Sequence, residues 1–136
     1  MTAGPRLERL TLRSKHRAEV LDVTERVQKI VTQSGLAGGL CHIYVPHTTA
    51  GVFINENADP DVMEDFLNTL DRLVPWDNGY SHAEGNAAAH IKSTLIGTSQ
   101  TVAFAEGRLA LGRWQGIYFA EFDGPRERQL QISILG

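Results

Sequence analysis

The chain has 136 residues, of which 42% are hydrophobic and 21% charged, and its net charge at pH 7 is −3. These values are typical of one globular domain with a buried core. The acidic balance argues against non-specific binding to nucleic acid, which needs a basic face. The single cysteine, Cys41, excludes a disulfide within the chain and is predicted to be a core residue, since its neighbours are apolar.

Neither a targeting segment nor a membrane span is visible in the sequence. The first residues, MTAGPRLERL, lack the apolar stretch of a signal peptide. No apolar run reaches about 18 residues, the length that a membrane-spanning helix requires. We therefore expect a cytoplasmic protein that does not bind membranes.

Apolar runs, some alternating and some continuous, predict about seven or eight strands. The predicted strands cover residues 7–13, 18–23, 40–45, 52–56, 99–105, 108–112, 117–122 and 129–135. We expect the first two to pair as a hairpin, and residues 99–112 to form a second hairpin with Gly107 in its turn. The last strand alternates strictly, so Leu130, Ile132 and Ile134 should point into the core.

Three helices are predicted from apolar periodicity and capping residues. The first begins at Thr24 as N-cap and stops at Gly35. The second begins with Asp59 as N-cap and Pro60 at the first helical position. With the third helix described below, the pattern predicts a single α+β domain over residues 1–136, dominated by antiparallel strands.

The third helix is predicted within the stretch YSHAEGNAAAHIK, residues 80–92, and beyond it. Asn86 is the expected N-cap of a helix over residues 87–96, which Gly97 closes. The approach to the start of this helix is lined by small alanine side chains. A helix N-terminus that is open to solvent favours anions, because its amide groups are unpaired and its dipole is positive.

Four polar residues of this stretch are candidates for a site. His82 and Glu84 precede the cap, whereas His90 and Lys92 lie within the helix. Imidazole, carboxylate and ammonium groups in this position suit either an anion or a metal ion. The alternative is an ordinary capped helix with solvated polar side chains.

A second candidate segment, His47-Thr48-Thr49, separates two predicted buried strands. Its hydrogen-bonding side chains would lie where the sheet ends, on a loop supported by a rigid scaffold. Alternatively, the threonines cap their own backbone. His42, inside the preceding strand, is expected to be a core or sheet-face histidine.

His47, His82 and His90 could converge, although their spacing matches no diagnostic metal motif such as HExxH or a paired CxxC. Two or three neutral imidazoles would bind a divalent ion of the borderline type. The expected cofactor is therefore a divalent metal ion, Mg or Zn. Imidazoles together with Lys92 and a helix end would instead bind phosphate. The sequence leaves both possibilities open.

Further polar positions follow the later strands. Trp114, beside Gln115, offers either a stacking surface or a core or subunit contact, and Arg126 offers a forked donor suited to phosphate. Asp59 could contact a ligand in addition to capping its helix. No serine or cysteine has a convincing base partner, and no glycine-rich loop follows a strand, so acyl transfer and nucleotide binding of the P-loop or Rossmann type are disfavoured.

Three long motifs carry a resemblance to a known family. They are HTTAGVFINENADPDV (47–62), YSHAEGNAAAHIKSTLIG (80–97) and GRLALGRWQGIYFAEFDGPRER (107–128). In this order they resemble the YjbQ-type proteins, described as the secondary thiamine-phosphate synthase family. One departure is Arg113, which stands where the family usually has a small hydroxyl residue, so a hydroxyl contact at this position is not expected.

The resemblance implies a sheet curled toward a barrel or sandwich, and assembly as a homotrimer. It also implies a site near the subunit interface, built from the His47 loop, residues 82–92 and the region around Trp114. Members of the family are credited with weak thiamine-phosphate synthase activity. This reaction joins hydroxymethylpyrimidine diphosphate to thiazole phosphate and releases pyrophosphate.

If the chain has this activity, we expect His47, His82, His90, Glu84 and Lys92 to be catalytic, with the three histidines also binding a divalent metal ion. The expected substrate contacts are Thr48, Thr49, Asn55, Asp59, Asn86, Trp114, Gln115, Glu121 and Arg126. Within this scheme, Trp114 stacks on the pyrimidine and Asp59 or Glu121 contacts its amine. The alternatives are a metal-dependent phosphohydrolase, or a non-catalytic module that binds a phosphorylated small molecule.

Overall fold

A computed structural model of the protein describes residues 6–136, which form eight strands and three helices. In chain order these are β1 (Arg6–Arg13), β2 (Glu19–Asp22), α1 (Thr24–Gln33), β3 (Gly39–Tyr44), β4 (Ala50–Glu56), α2 (Pro60–Leu73), α3 (Ala87–Ile96), β5 (Ser99–Ala105), β6 (Arg108–Leu109), β7 (Gln115–Glu121) and β8 (Glu127–Leu135).

The strands form two sheets in which all pairs are antiparallel. One sheet has five strands in the order β1-β8-β3-β5-β6, and the other has three in the order β2-β7-β4. The two sheets curl into a half-barrel around the main core. The predicted α+β class with a curled, mostly antiparallel sheet is therefore confirmed.

The main core lies between the two sheets and α1. Leu130, Ile132 and Ile134 of β8 point into it and are buried, as the alternation predicts. Cys41 of β3 is also fully buried, in agreement with its assignment to the core. Each large apolar side chain buried in this way contributes about 1.5–3 kcal/mol to stability.

The three-stranded sheet is covered on both faces, so β7 is buried almost throughout. Ile117 and Phe119 face the main core, whereas Ala120 belongs to a second apolar cluster. The second cluster also includes Leu70 of α2 and Ala89 of α3. Helix α3, which carries His90, is thus packed against the three-stranded sheet.

Hydrogen bonds and backbone conformation at the helix ends test the predicted capping residues. Asp59 accepts a hydrogen bond from the backbone of Asp61 at 2.9 Å, as expected of an N-cap. Gly97 closes α3 with a φ of 94°, a conformation that side chains rarely adopt. Thr24 was expected to cap α1 but is its first residue: its hydroxyl binds Asp22 at 2.6 Å and accepts from the Ile117 amide at 2.8 Å.

The predicted hairpin between the first two strands is wrong. β1 pairs with β8, and β2 pairs with β7, so the two strands belong to different sheets. The second predicted hairpin is confirmed, since β5 and β6 pair across Glu106 and Gly107, both of which have positive φ. Within residues 6–136, no helix is long and apolar enough to cross a membrane.

Candidate active site

Three segments converge at one end of the half-barrel: the loop between β3 and β4, the first turns of α3, and the turn between β7 and β8. They line a cavity of about 450 Å³ that is open to solvent. The predicted site residues that line it are His47, Thr48, Thr49, His82, Glu84, Asn86, His90 and Arg126. The structure thus brings together three sequence segments, each more than thirty residues from the next.

A buried ion pair supports the floor of this cavity. The fully buried carboxylate of Glu121 accepts hydrogen bonds from both Nε and Nη2 of Arg128, the former at 2.8 Å. It also accepts from Ser14 Oγ at 2.8 Å and from the Asp123 amide at 3.0 Å. Arg128 Nη2 further donates to Thr49 Oγ1 at 2.7 Å. The pair thereby ties the loop after β3 to strands β7 and β8.

This network corrects the predicted role of Glu121. Its two carboxylate oxygens are engaged by four donors, and its side chain is 0% exposed. No surface is left for contact with the amine of a substrate. Glu121 is a support of the site and does not line it.

His47 has a defined hydrogen-bonding state. Its Nε2 atom accepts a hydrogen bond from the Gln129 backbone amide at 2.9 Å. A neutral imidazole that accepts at Nε2 carries its proton on Nδ1, so Nδ1 is a donor. Burial, followed by the positive charge of Arg128, lowers the pKa of His47 below its usual 6.5. The ring is therefore neutral at pH 7.

Asn86 begins α3 but does not cap it with its side chain. Its Nδ2 donates instead to Asp123 Oδ2 at 2.8 Å, which joins the helix start to the turn after β7. Arg126 donates to the same carboxylate oxygen at 3.1 Å. Asn86 Oδ1 is buried and has no hydrogen-bond partner among residues 6–136. A buried acceptor without a partner is costly, so this atom is suited to a hydrogen-bond donor from a ligand.

His82 and His90 face each other at the mouth of the cavity. Their ring centroids are 5.2 Å apart and their planes nearly perpendicular. Glu84 lies 3.9 Å from His82 Nε2 and is largely exposed, so this contact is weak. Both imidazoles therefore line the cavity side by side.

The three histidines do not form a metal site as they are placed. No group of three or more His, Cys, Asp or Glu side chains in residues 6–136 is arranged to bind a metal ion. The Nε2 lone pair of His47 is already used by the Gln129 amide, and its Nδ1 bears the proton. His47 would have to break this bond and turn its ring to become a ligand, so these side chains do not fit a metal ion as they are placed.

Lys92 does not line the cavity. Its side chain is 5% exposed, and Nζ lies 3.2 Å from Asp71 Oδ1 on α2. Position 92 is on the face of α3 that packs against the protein, because the neighbouring Ser93 and Ala89 are buried as well. The predicted contact between Lys92 and an anion is therefore replaced by a link between two helices.

The remaining predicted residues lie at the opposite end of β4 and β7: Asn55, Asp59, Trp114 and Gln115. A seven-residue strand separates the two ends, which corresponds to about 20 Å. Trp114 is 55% exposed, and the Arg113 guanidinium lies 4.8 Å from its ring. Within one chain, the Trp114 region does not contribute to the cavity around His47.

Comparison with known proteins now identifies the family. The family model described as "UPF0047 protein YjbQ-like" matches residues 8–136. The chain belongs to the YjbQ/UPF0047 family. It is 49% identical over 131 residues to the UPF0047 protein YugU of Bacillus subtilis, which covers 96% of this chain and 99% of that protein. It is 48% identical over 125 residues to UPF0047 protein MJ1081 of Methanocaldococcus jannaschii, covering 92% and 91% of the two chains.

Solved structures of the YjbQ/UPF0047 family share the fold. A crystal structure of a family member from Clostridium acetobutylicum has 47% identity and a TM-score of 0.92, over 94% of this chain and 99% of that one. A YbjQ-like protein from Sulfolobus solfataricus has 33% identity and a TM-score of 0.94, over 98% of both chains.

Two residues that support the site, Arg128 and Asp123, escaped the sequence analysis. Arg128 lies at the same alternation phase as Leu130 and Ile132, so it occupies an inward position of β8. A charged residue on the inward face of a predicted strand requires a buried partner, and this signal could have identified it. Asp123 carries no such signal, because its partner at the start of α3, Asn86, is 37 residues away in sequence.

Proposed function

We propose that this YjbQ/UPF0047 protein is an enzyme of the thiamine-phosphate synthase type, and that the cavity around His47 is its active site. The proposed reaction joins hydroxymethylpyrimidine diphosphate to thiazole phosphate and releases pyrophosphate. The observation that carries the proposal is His47, a neutral Nδ1–H donor fixed by the Gln129 amide in a cavity that also contains two arginines. The family resemblance of the three long motifs supports the choice of substrates.

Catalysis of this reaction chiefly requires stabilisation of the leaving group. The bond between the pyrimidine methylene carbon and the diphosphate oxygen breaks, and its electron pair passes to that oxygen. The thiazole nitrogen supplies the electron pair for the new carbon–nitrogen bond. Negative charge therefore grows on pyrophosphate, and donors already in position stabilise such charge most effectively.

The cavity offers donors of this kind. His47 would donate through Nδ1 without carrying a positive charge, and its ring needs no reorientation because Nε2 is tied to the backbone. Arg126 is about half exposed and paired with Asp123, which leaves part of its guanidinium free for phosphate oxygens. His82 and His90, at the entrance, would supply or accept protons as pyrophosphate leaves.

The proposal includes a homotrimer with the site near the subunit interface. In one chain, Trp114 is about 20 Å from the end of β7 that supports the cavity. Only a neighbouring copy could place this exposed indole over the His47 cavity. If so, mixing His47→Ala and Trp114→Ala subunits should restore part of the activity that each variant lacks alone, because some mixed sites contain both side chains. Absence of any recovery in mixed assemblies would argue against a shared site.

The central test compares His47→Asn, His47→Gln and His47→Ala for product formation. The Asn amide group can occupy the position of Nδ1, whereas the Gln amide reaches toward that of Nε2. We expect Asn to retain activity within about tenfold and both other variants to lose about 10²–10³-fold, the usual cost of removing one positioned donor. Full activity of the alanine variant would refute the role of His47.

The same assay separates the alternatives. Release of phosphate from phosphorylated metabolites, without any joined product, would favour a phosphohydrolase. Tight binding of phosphorylated ligands without turnover would favour a non-catalytic module. Both outcomes would overturn the synthase proposal and leave the cavity as the binding site.

A further inference from the structure

The cavity around His47 is one half of a longer cleft. A second cavity of about 460 Å³ adjoins it and shares His47, Thr48 and His90 with it. We call the first the charged chamber and the second the hydroxyl chamber. The hydroxyl chamber is lined by His47, Thr48, His90, Ser93, Thr94, Gly97 and Thr98. The cleft therefore follows α3 from its first residue to its last, a length of about 15 Å.

The two chambers differ in charge. The charged chamber contains Arg126 and Arg128, each paired with a carboxylate. It also contains Asn86 Oδ1, for which residues 6–136 supply no hydrogen-bond partner. Its walls also include Asp123 and Glu84, so it is polar rather than uniformly positive. The hydroxyl chamber has no Asp, Glu, Lys or Arg among its lining residues.

The side chains of the hydroxyl chamber can accept hydrogen bonds from a ligand. Ser93 Oγ donates to the Ala50 carbonyl at 2.5 Å, and Thr94 Oγ1 donates to the His90 carbonyl at 2.9 Å. Their protons are used, so both hydroxyls can only accept from a ligand. Thr98 lies beside them at the end of α3 and is half-buried. The hydroxyl chamber is thus suited to ligand groups that donate, such as an amine or a hydroxyl.

The direction of α3 strengthens this difference. Its N-terminus, at Asn86, adjoins the charged chamber, and its C-terminus, at Gly97, adjoins the hydroxyl chamber. The two ends of a helix carry about half a positive and half a negative charge, respectively. An anion is favoured at the first end and a hydrogen-bond donor at the second.

We infer that the cleft binds one two-ended ligand in a single direction, with its phosphate in the charged chamber and an uncharged, amine- or hydroxyl-bearing ring in the hydroxyl chamber. Asn86 Oδ1 accepts from a phosphate oxygen that carries a proton, which a phosphate group retains below about pH 6. The bond between the two ends lies beside His47 and His90, where the chambers meet. The inference rests on the proposed function and specifies the class and orientation of its substrate.

The test uses calorimetry on the full chain with two separate probes: inorganic pyrophosphate, and the free hydroxymethylpyrimidine, which lacks phosphate. Arg126→Gln should weaken pyrophosphate about tenfold, as expected for one charge-assisted hydrogen bond, and leave the pyrimidine unchanged. Thr98→Val should weaken the pyrimidine about threefold to tenfold and leave pyrophosphate unchanged. The thermal midpoint of each variant checks that it is folded.

Matched controls exist on exposed strand positions away from the cleft. Arg108→Gln on β6 and Thr101→Val on β5 remove the same groups and should change neither affinity. Failure of either probe to bind, or a loss of pyrophosphate affinity in Thr98→Val equal to that in Arg126→Gln, would overturn the inference. Binding in the assigned chambers without product formation would refute only the proposed reaction. Product formation with the chamber preferences reversed would refute only the inferred orientation.

Discussion

Replacement of Glu121 by glutamine tests the buried ion pair beneath the cavity. The substitution preserves the shape of the side chain but removes the charge that compensates Arg128. In the native protein both carboxylate oxygens accept hydrogen bonds, whereas in the variant an NH₂ group replaces one of these oxygens and faces other donors. Both side chains are almost completely inaccessible, with 0% of Glu121 and 5% of Arg128 exposed, so water cannot compensate the guanidinium.

The magnitude follows from this geometry. Removal of one partner of a buried, hydrogen-bonded ion pair costs about 3–5 kcal/mol. For a chain of this size, about 3–4 °C of thermal midpoint corresponds to each kcal/mol, so the midpoint should fall by roughly 10–20 °C. Urea unfolding at pH 7 measures the free energy, with an unchanged slope if both states keep their compactness.

Two controls make the result interpretable. Glu127→Gln is the same substitution in the exposed pair Arg13–Glu127, whose side chains are 76% and 54% accessible, and should cost less than about 1 kcal/mol. The double variant Glu121→Leu with Arg128→Met removes both charges and should recover most of the stability. A loss below about 1 kcal/mol in Glu121→Gln would refute the proposed support role of the pair.

Three further predictions concern single side chains. Burial raises the pKa of Cys41 to about 11, so an aromatic disulfide reagent should react slowly with the folded protein, and rapid labelling would contradict this. The free energy of unfolding should also fall between about pH 9 and 11, because the thiol ionises first in the unfolded state. The pKa of His47 is lowered, so near this pKa the folded state binds fewer protons than the unfolded state. The free energy of unfolding should therefore decrease as the pH falls below about 6.5, and an NMR titration midpoint above 6.5 for His47 would contradict this. Lys92→Met should leave pyrophosphate affinity unchanged in calorimetry, because the ammonium group contacts Asp71 and not the cavity; a tenfold loss would place the lysine in the site.

The difference between Lys92 and His90 shows how sequence position relates to function. Both belong to α3 and are separated by less than one turn, yet His90 opens onto the cleft and Lys92 is buried against α2. A two-residue step rotates a helical side chain by about 200°, which places it on the opposite face. Whether a polar side chain faces a ligand or a neighbouring helix therefore depends on which helix face is packed.

The sequence by itself determined the features that short-range chemistry controls. Alternation on β8, the Asp59 cap and the glycine at position 97 are each set by residues within a few positions, and the structure has them as predicted. The motifs around His47 and His90 also marked the two segments that meet at the cavity. Such signals are local, since capping, turn conformation and the direction of side chains depend on neighbouring residues.

Only the tertiary structure decided strand partners and the orientation of polar groups. Alternation shows which face of a strand is buried but not which strand lies beside it, so the predicted hairpin at the start of the chain gave way to pairing of β1 with β8, more than a hundred residues away. The same holds for charge: Glu121 and Arg128 form their pair because β7 and β8 bring them into one dry interior. In that interior an ionised group must have a partner, and the fold selects which one.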